Sequence, residues 1–287
     1  MTRSCTIGEL MIAALARRIR DGELVFHGFG SPLAQLAMHV ARRTHAPRMI
    51  LVAGATYGVD PRPPFLTPTT NDWVMDRGAT CALDIEELFD LAASGRMGRM
   101  FLSGLQIDKW GNCNVTALGA PHMTMKLPGG GGGGNLSCDA QHVTLWTPAH
   151  RAPPDAHGRR RFRLVERCDF ITNLGHRDSE GRARSALGHR GAGPDALVTE
   201  LGLFDFDSDG HMRLTARHPD VSIDEIVEST GFEPRMSASI DVTPAPDREV
   251  VEIIRALDPL RVHEREIRPE DRARQFELAC AGKDMAS

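Results

Sequence analysis

Six consecutive glycines at residues 129–134 are the part of this sequence best suited to chemistry. Glycine loses more backbone freedom on folding than other residues, so such a run weakens a fold unless bare backbone is needed there. Bare amides can cradle an anion, or they can direct N–H groups at an oxyanion that develops during a reaction. The run therefore predicts an anion or oxyanion site.

The alternative interpretation of the glycine run is a flexible linker. The run contains none of the Ser, Glu or Lys residues common in linkers, and it lies between Pro128 and an apolar, β-rich segment at 142–146. No Gly-Lys-Ser/Thr follows it, and it does not have the G-x-G-x-x-G spacing of a dinucleotide-binding turn. Neither common type of nucleotide loop is therefore predicted.

A second group of small residues comprises Gly28, Gly30 and Ser31, between a predicted strand and a predicted helix. Amides at such a turn can bind a phosphate or a carboxylate. An equally simple interpretation makes Ser31 the N-cap of the helix, with Pro32 at its first position. Both interpretations can hold at once.

The elements that must position these groups follow from hydrophobic periodicity. Thr6 and Glu9 have the spacing of a capping box at the start of the first helix. The predicted helices are 6–20, 33–44, 84–94, 222–229 and 247–257, and the predicted strands are 23–27, 49–52, 99–104, 143–146, 162–165, 196–202 and 212–216. The order strand, helix, strand over 23–52 predicts an α/β fold with an open, mostly parallel sheet and flanking helices. Ligands bind such sheets beyond the carboxyl ends of the strands.

Composition excludes several classes of protein. The 287 residues carry a formal net charge of −4 and are 41% hydrophobic, so no basic nucleic-acid footprint and no membrane span are predicted. The six cysteines are scattered without a C-x-x-C pair and the twelve histidines show no metal-ligand spacing, so no metal site is predicted. Unpaired cysteines in a chain without a signal-peptide pattern predict a cytoplasmic location.

The predicted domain organisation is a single domain over residues 1–262. Within it, residues 176–193 are rich in Arg, Gly and Ser and are predicted to be an exposed loop. Residues 263–287 form a charged C-terminal tail, predicted to be loosely ordered or to form a docking helix.

Short motifs along almost the whole chain, in a fixed order, resemble the β subunit of the class I CoA-transferase family. They are GFGSP at 28–32, THAP at 44–47, GLQIDKWGNCN at 104–114, LPGGGGGGN at 127–135, LVERCDFIT at 164–172, GP at 193–194, VTELGLFDF at 198–206 and HPDV at 218–221. Within the family, the chain is most similar to glutaconate CoA-transferase β subunits and to their steroid-degradation relatives that hydrolyse a cyclic β-ketoacyl-CoA. The resemblance implies a CoA-transferase β-subunit fold over roughly residues 6–262.

The resemblance also implies covalent catalysis. In the family, a β-subunit glutamate attacks the acyl-CoA thioester, and a glutamyl-CoA thioester then returns CoA to a new acid. That glutamate follows the strand aligned with 49–52, where this sequence has Ala53 and no carboxylate before Asp60. An alanine cannot form a CoA thioester. The departure leaves three hypotheses: a hydrolase or C–C bond-cleaving enzyme acting on a β-ketoacyl-CoA, a transferase with a differently placed carboxylate, and a non-catalytic subunit that binds CoA thioesters.

The site residues that the resemblance implies are backbone amides and small polar groups. Gly131, Gly132 and Gly133 are the expected oxyanion amides, and Ala53 marks the position of the missing glutamate. The residues expected to contact substrate or CoA are Gly28, Gly30, Ser31, Gln106, Gly129, Gly130, Gly134 and Asn135. Arg159, Arg160 and Arg161 could meet the 3′-phosphate of CoA, although a solvated basic hairpin is the simpler interpretation.

The resemblance implies a heteromeric enzyme of catabolism. The expected partner is a CoA-transferase α subunit, in an α2β2 or larger assembly that completes the active site, and the enzyme is expected to be active only with it. Coenzyme A enters as a thioester substrate, and no tightly bound cofactor is expected.

Overall fold

The structure is a computed structural model that describes residues 4–119 and 121–278. The chain divides into two compact units, one built from residues 1–83 and 243–287 and the other from residues 84–242. We call them the first and the second unit. The single-domain organisation expected from the sequence stays a prediction.

The bounds of the elements are as follows. The helices are α1 (Ile7–Ala16), α2 (Pro32–Arg43), α3 (Ile85–Ala93), α4 (Gly133–Asp139), α5 (Ile223–Glu228), α6 (Arg248–Leu257) and α7 (Pro269–Arg272). Short 3-10 helices span Trp73–Asp76, Arg184–Leu187 and Val262–Arg265. The strands are β1 (Ser4–Thr6), β2 (Leu24–His27), β3 (Ile50–Val52), β4 (Gly58–Val59), β5 (Cys81–Ala82), β6 (Arg99–Ser103), β7 (Gln106–Asp108), β8 (Cys113–Asn114), β9 (Ala117–Leu118), β10 (Met125–Lys126), β11 (His142–Thr147), β12 (Leu164–Val165), β13 (Pro194–Thr199), β14 (Gly202–Phe206), β15 (Met212–Arg217), β16 (Thr230–Gly231), β17 (Arg235–Val242) and β18 (Gln275–Glu277).

The first unit contains the predicted strand–helix–strand motif. β2 and β3 are parallel, with Val25 opposite Leu51, and β4 and β5 continue the order as antiparallel strands. All ten residues of α1 are buried, which is the pattern of a helix surrounded by other elements. The capping box of Thr6 and Glu9 forms as predicted. The carboxyl ends of β2 and β3 therefore lie at one edge of this unit.

The C-terminal tail is more ordered than the sequence suggested. β18 pairs antiparallel with β1, and α7 and the 3-10 helix at Val262–Arg265 precede it. Phe276 of β18 is 4% exposed, so one apolar side chain in this charged stretch holds the strand against the unit. The prediction of loose order was wrong for residues 263–278, and residues 279–287 lie outside the described part.

The second unit combines parallel strands with antiparallel hairpins. Its larger sheet has the order β17-β15-β14-β13-β11-β6, in which β11 is parallel to both β6 and β13. A smaller sheet has the order β16-β12-β7-β8. This mixed, mostly parallel α/β architecture confirms the predicted fold class.

Two strands of the second unit differ from the prediction. The predicted strand 196–202 is broken, because the Thr199 hydroxyl accepts the amides of Leu201 and Gly202 and stabilises a reversal between β13 and β14. β17 was missed, because its Ser, Ala and Asp residues are poor strand formers. In the described residues, no helix is both long and apolar enough to cross a membrane.

Candidate active site

The glycine run is the start of a short helix in the second unit. Gly129 and Gly131 have positive φ values of 88° and 52°, and Gly133 and Gly134 open α4. The Gly129 amide donates to the carbonyl of Val115 at 2.8 Å. The run is therefore a packed loop inside one unit, which does not fit the linker interpretation.

Glycine is also required by close packing in this loop. A Cβ on Gly130 would lie 2.6 Å from Cγ2 of Thr172, and one on Gly132 would lie 2.7 Å from Cζ of Phe89. Both distances are shorter than a carbon–carbon contact allows, so the methyl or the ring would have to move. The second unit thus presses bare backbone against α3 and the segment that carries Thr172.

Not all of the loop amides are available to a ligand. The Gly133 amide donates to the Gly130 carbonyl at 2.8 Å, and the Leu136 amide donates to the Gly132 carbonyl at 3.0 Å. The amides of Gly130, Gly131 and Gly132 have no acceptor within residues 4–119 and 121–278. The expected role of Gly133 as an oxyanion donor does not fit this hydrogen bond, whereas Gly131 and Gly132 remain candidates.

Polar side chains support the loop from one side. Thr172 Oγ1 accepts the Val115 amide at 3.0 Å and lies 2.7 Å from Oγ1 of Thr116. Gln106 Oε1 accepts Nδ2 of Asn114 at 2.7 Å and the Asp169 amide at 3.0 Å. The oxygen of the Gln106 side chain is therefore engaged in holding the loop's neighbours. Asn135 is exposed in the first turn of α4.

The turn between β2 and α2 belongs to the first unit. Gly30 has a φ of 61° and its amide donates to Oγ1 of Thr70 at 3.3 Å. Ser31 occupies the N-cap position and Pro32 follows at the first helical position, as predicted. The Ser31 hydroxyl, however, donates to the Phe29 carbonyl at 3.2 Å and does not cap α2.

Glu266 takes over the capping role. Its Oε2 accepts the Leu33 amide in the first turn of α2 at 3.0 Å. Burial raises the pKa of Glu266 to about 8, so the carboxyl is largely protonated near neutral pH. Sequence analysis missed this residue, because 233 positions separate the two groups.

Ala53 ends β3 in a closed turn of the first unit. Its amide donates to the Gly58 carbonyl at 3.0 Å, and its carbonyl accepts the Tyr57 amide at 3.0 Å. The side chain is 2% exposed. The position expected for the family glutamate therefore holds a buried methyl group.

His27 links this turn to the end of β2. Its Nε2 accepts the Gly54 amide at 3.1 Å, and its Nδ1 lies 2.8 Å from the Gly28 carbonyl, to which it donates. Burial lowers the pKa of His27 to about 4, which keeps the ring neutral and fits one donating and one accepting nitrogen. The structure thus brings Gly28 and Ala53 together in the first unit, while Gln106 and the glycine loop lie in the second.

The carboxylates that follow Ala53 along the chain have structural partners. Asp60 Oδ1 accepts the Leu51 amide at 2.9 Å and pairs with Arg42 at 3.3 Å. Asp76 Oδ1 accepts the Thr56 hydroxyl at 2.5 Å. Neither replaces the glutamate in sequence, although Asp76 lies against the same turn.

The basic run at 159–161 is partly neutralised. Arg159 pairs with Asp155 at 3.1 Å, and Arg160 pairs with Glu228 at 3.0 Å. These ion pairs favour a solvated basic hairpin over a phosphate site. No cluster of His, Cys, Asp or Glu that could hold a metal occurs in the described ranges.

A buried histidine on α2 predicts a pH-dependent stability. His39 is 2% exposed, and burial lowers its pKa to about 3. Because the unfolded chain binds this proton near pH 6.5, the stability is full above that pH and is lost as the pH falls towards about 3. Replacing His39→Gln should flatten the dependence of the unfolding free energy on pH by up to about 1.4 kcal/mol per pH unit.

Denaturant unfolding between about pH 7 and about pH 5 measures this slope. His157→Gln is the matched control, because His157 lies in an exposed loop. Equal slopes for the unmodified protein and His39→Gln would show that the ring is protonated in the folded state.

Comparisons with known proteins identify the family. Residues 9–229 match the family model described as Coenzyme A transferase. The chain is 29% identical over 254 residues to the B subunit of 3-oxoadipate CoA-transferase from Pseudomonas knackmussii, which covers 87% of this chain and 92% of that protein. It is 27% identical over 256 residues to the cholesterol ring-cleaving hydrolase IpdB subunit of Rhodococcus jostii, which covers 85% and 91%. The crystal structure of the decarboxylase AibA/AibB superposes with a TM-score of 0.77 at 33% identity, covering 91% and 98%.

The matched family region covers most of the chain and includes both glycine-containing turns. The family resemblance drawn from the short motifs is thereby confirmed. The relatives nevertheless carry three different activities in their names, so membership alone does not fix the reaction. The chain belongs to the coenzyme A transferase family, as a subunit of the β type.

Proposed function

We propose that this chain is the β subunit of an enzyme that cleaves a β-ketoacyl-CoA by hydrolysis or ring opening and does not transfer CoA. The observation that carries the proposal is the buried Ala53 at the end of β3. Transfer through a glutamyl-CoA thioester needs a carboxylate nucleophile, and a methyl group offers no atom for that bond. A reaction that needs no enzyme-bound CoA is compatible with this position.

The loop amides suit such a reaction. A water oxygen adds to the 3-oxo carbon, and the bond from that carbon to the α-carbon breaks. Its electron pair moves into the thioester as an enolate, whose negative oxygen accepts the amides of Gly131 and Gly132. The α-carbon then takes a proton, and a base from the α subunit activates the water.

Two relatives support this choice. One is named a ring-cleaving hydrolase and another a decarboxylase. Decarboxylation also leaves an electron pair on carbon, which a neighbouring thioester carbonyl can accept. The same stabilised oxyanion would serve both reactions, whereas a glutamate nucleophile is needed in neither.

The proposal includes an α-type partner that completes the site. Subunit names of the relatives, and the paired names IpdA/IpdB and AibA/AibB, point to heteromers. Large apolar side chains are exposed in this chain, as expected of a surface that a partner covers. They include Phe29, Trp73, Met123, Met125, Phe170, Met236 and Val242. The α2β2 stoichiometry and the CoA contacts of Gly28, Gly30, Ser31, Gln106, Gly129, Gly130, Gly134 and Asn135 remain part of the proposal.

A transferase with a displaced carboxylate is the second candidate. The similarity to a 3-oxoadipate CoA-transferase favours it. Within the first unit, Glu266 lies at the N-terminus of α2 and Asp76 lies against the turn at Thr56. A third possibility is a non-catalytic subunit, in which case changes in this chain's loop would leave turnover unchanged.

Product analysis distinguishes these functions. The chain is purified with its α-type partner and incubated with a panel of 3-oxoacyl-CoA esters, with and without an added carboxylic acid. Mass spectrometry should find cleaved products at a rate that does not depend on the acid. A new CoA ester of the added acid would instead establish CoA transfer and reject the proposal.

A further inference from the structure

The loop at 176–193 contains one deeply buried cation. Arg184 begins the 3-10 helix Arg184–Leu187 and is 5% exposed, whereas Arg182 and Arg190 in the same segment are exposed. Burying a guanidinium is costly unless its donors are all satisfied. The contacts of Arg184 should therefore reveal what it holds together.

Every N–H of the Arg184 guanidinium donates to a backbone carbonyl. Nη2 reaches Ser137 at 2.9 Å and Cys138 at 3.0 Å, Nη1 reaches Leu174 at 2.5 Å and Gly175 at 3.1 Å, and Nε reaches Gly191 at 3.1 Å. Five donors meet five acceptors, which is the full capacity of the group. No carboxylate of the described residues hydrogen-bonds to it. Arg184 thus joins three separate stretches of backbone.

One of these stretches is the last turn of α4. The carbonyls at the end of a helix lack intrahelical partners and carry the negative end of the helix dipole, so a cation stabilises them. α4 has only seven residues and begins with two glycines. Such a helix is unstable on its own, and its position depends on tertiary contacts.

The chain around Arg184 is fitted to the same end of α4. The Gly191 amide donates to the Cys138 carbonyl at 3.0 Å. A Cβ on Gly191 would lie 2.3 Å from the Ala140 carbonyl oxygen, so only glycine allows this approach. Residues 184–191 therefore bind the C-terminal end of the helix whose N-terminal end is the glycine loop.

We propose that Arg184 is a positioning residue that holds the amides of the glycine loop in their working geometry through α4. The inference rests on the proposed function of those amides. A displacement of about 1 Å at a reacting group lowers turnover by about 10²-fold. Without Arg184, the loop would keep its sequence and lose its fixed position.

The test uses Arg184→Gln and Arg184→Lys in the complex with the α-type partner. Arg182→Gln is the matched control, because Arg182 is exposed and pairs with Asp178 in the same segment. Hydrogen exchange is measured for residues 129–139, together with kcat and KM for the best substrate of the 3-oxoacyl-CoA panel. Lysine keeps the charge but has three donors, so it cannot replace all five contacts.

For Arg184→Gln we expect amide exchange at 129–139 to rise about tenfold, with β11 and β13 unchanged. We expect kcat to fall about 10²-fold and KM to stay within about threefold. Arg184→Lys should lie between these values and the control, and it serves as the test if the glutamine variant does not fold. Unchanged exchange at 129–139, exchange that rises throughout the unit, or an unchanged kcat would overturn the inference.

The inference and the proposed function can fail separately. Variants of Gly132 leave Arg184 intact, so equal turnover of Gly132→Pro and Gly132→Ala would reject the role of the loop amides. If the Gly132 variants differ and the Arg184 variants leave the loop unchanged, only the positioning role is rejected.

Discussion

Replacing Gly132→Pro is expected to lower kcat by about 10²–10³ relative to Gly132→Ala. Gly132 has a φ of −78°, which a proline ring accepts, and Gly131 before it lies outside the right-handed helical region that proline disfavours. Both substitutions place a Cβ against the ring edge of Phe89, 2.7 Å away. Only proline removes the N–H, so the difference between the two variants isolates that donor.

The comparison uses the complex with its α-type partner and the best 3-oxoacyl-CoA substrate. Melting temperatures of the two variants should agree within a few degrees, because the packing change is shared. Turnover of Gly132→Pro equal to that of Gly132→Ala would show that this amide does not stabilise the transition state. A loss of turnover that follows a loss of folding would lead to the same conclusion.

Replacing Gly54→Ala is expected to destabilise the protein by about 3 kcal/mol. A Cβ there would lie 2.0 Å from the His27 carbonyl oxygen and 2.8 Å from that of Gly28. These are backbone atoms at the end of β2, so no side-chain rotation can relieve the contact. The turn that carries Ala53 would have to move away from β2.

Gly28→Ala is the control for this change. Gly28 lies at the end of β2, has no positive φ, and would place a Cβ with nothing within 4 Å. It should be neutral or stabilise the protein by up to about 1 kcal/mol. Thermal unfolding should show a loss of about 5–10 °C for Gly54→Ala alone. Similar melting temperatures for the two variants would mean that the turn at 53–58 does not pack against His27.

Much of the fold was predictable because its signals are local. The capping box at Thr6 and Glu9 and the order β2, α2, β3 follow from periodicity and short motifs. Helix ends were less predictable: α1 ends at Ala16 although the periodic pattern continues to Ile19. β17 has a composition unlike that of a strand, and its pairing with β15 decides its conformation.

The candidate site was predictable where it is backbone and unpredictable where it is supported by distant side chains. A run of glycines is visible in any sequence, and so is the absence of a glutamate after β3. Glu266 reaches α2 across 233 positions, and Arg184 reaches α4 across 47. An isolated Arg or Glu in a charged loop carries no local signal of such contacts. His27 could have been suspected, because it is a polar residue at the buried end of a strand.

The proposed reaction depends most directly on the absence of a CoA ester on this chain. The complex is mixed with its acyl-CoA substrate, reduced with borohydride during turnover, digested and examined by peptide mass spectrometry. We expect every Asp- and Glu-containing peptide of this chain to remain unmodified while product accumulates. A reduced carboxylate in this chain, at Glu266, Asp76 or elsewhere, would contradict the proposed reaction and establish CoA transfer through a displaced nucleophile.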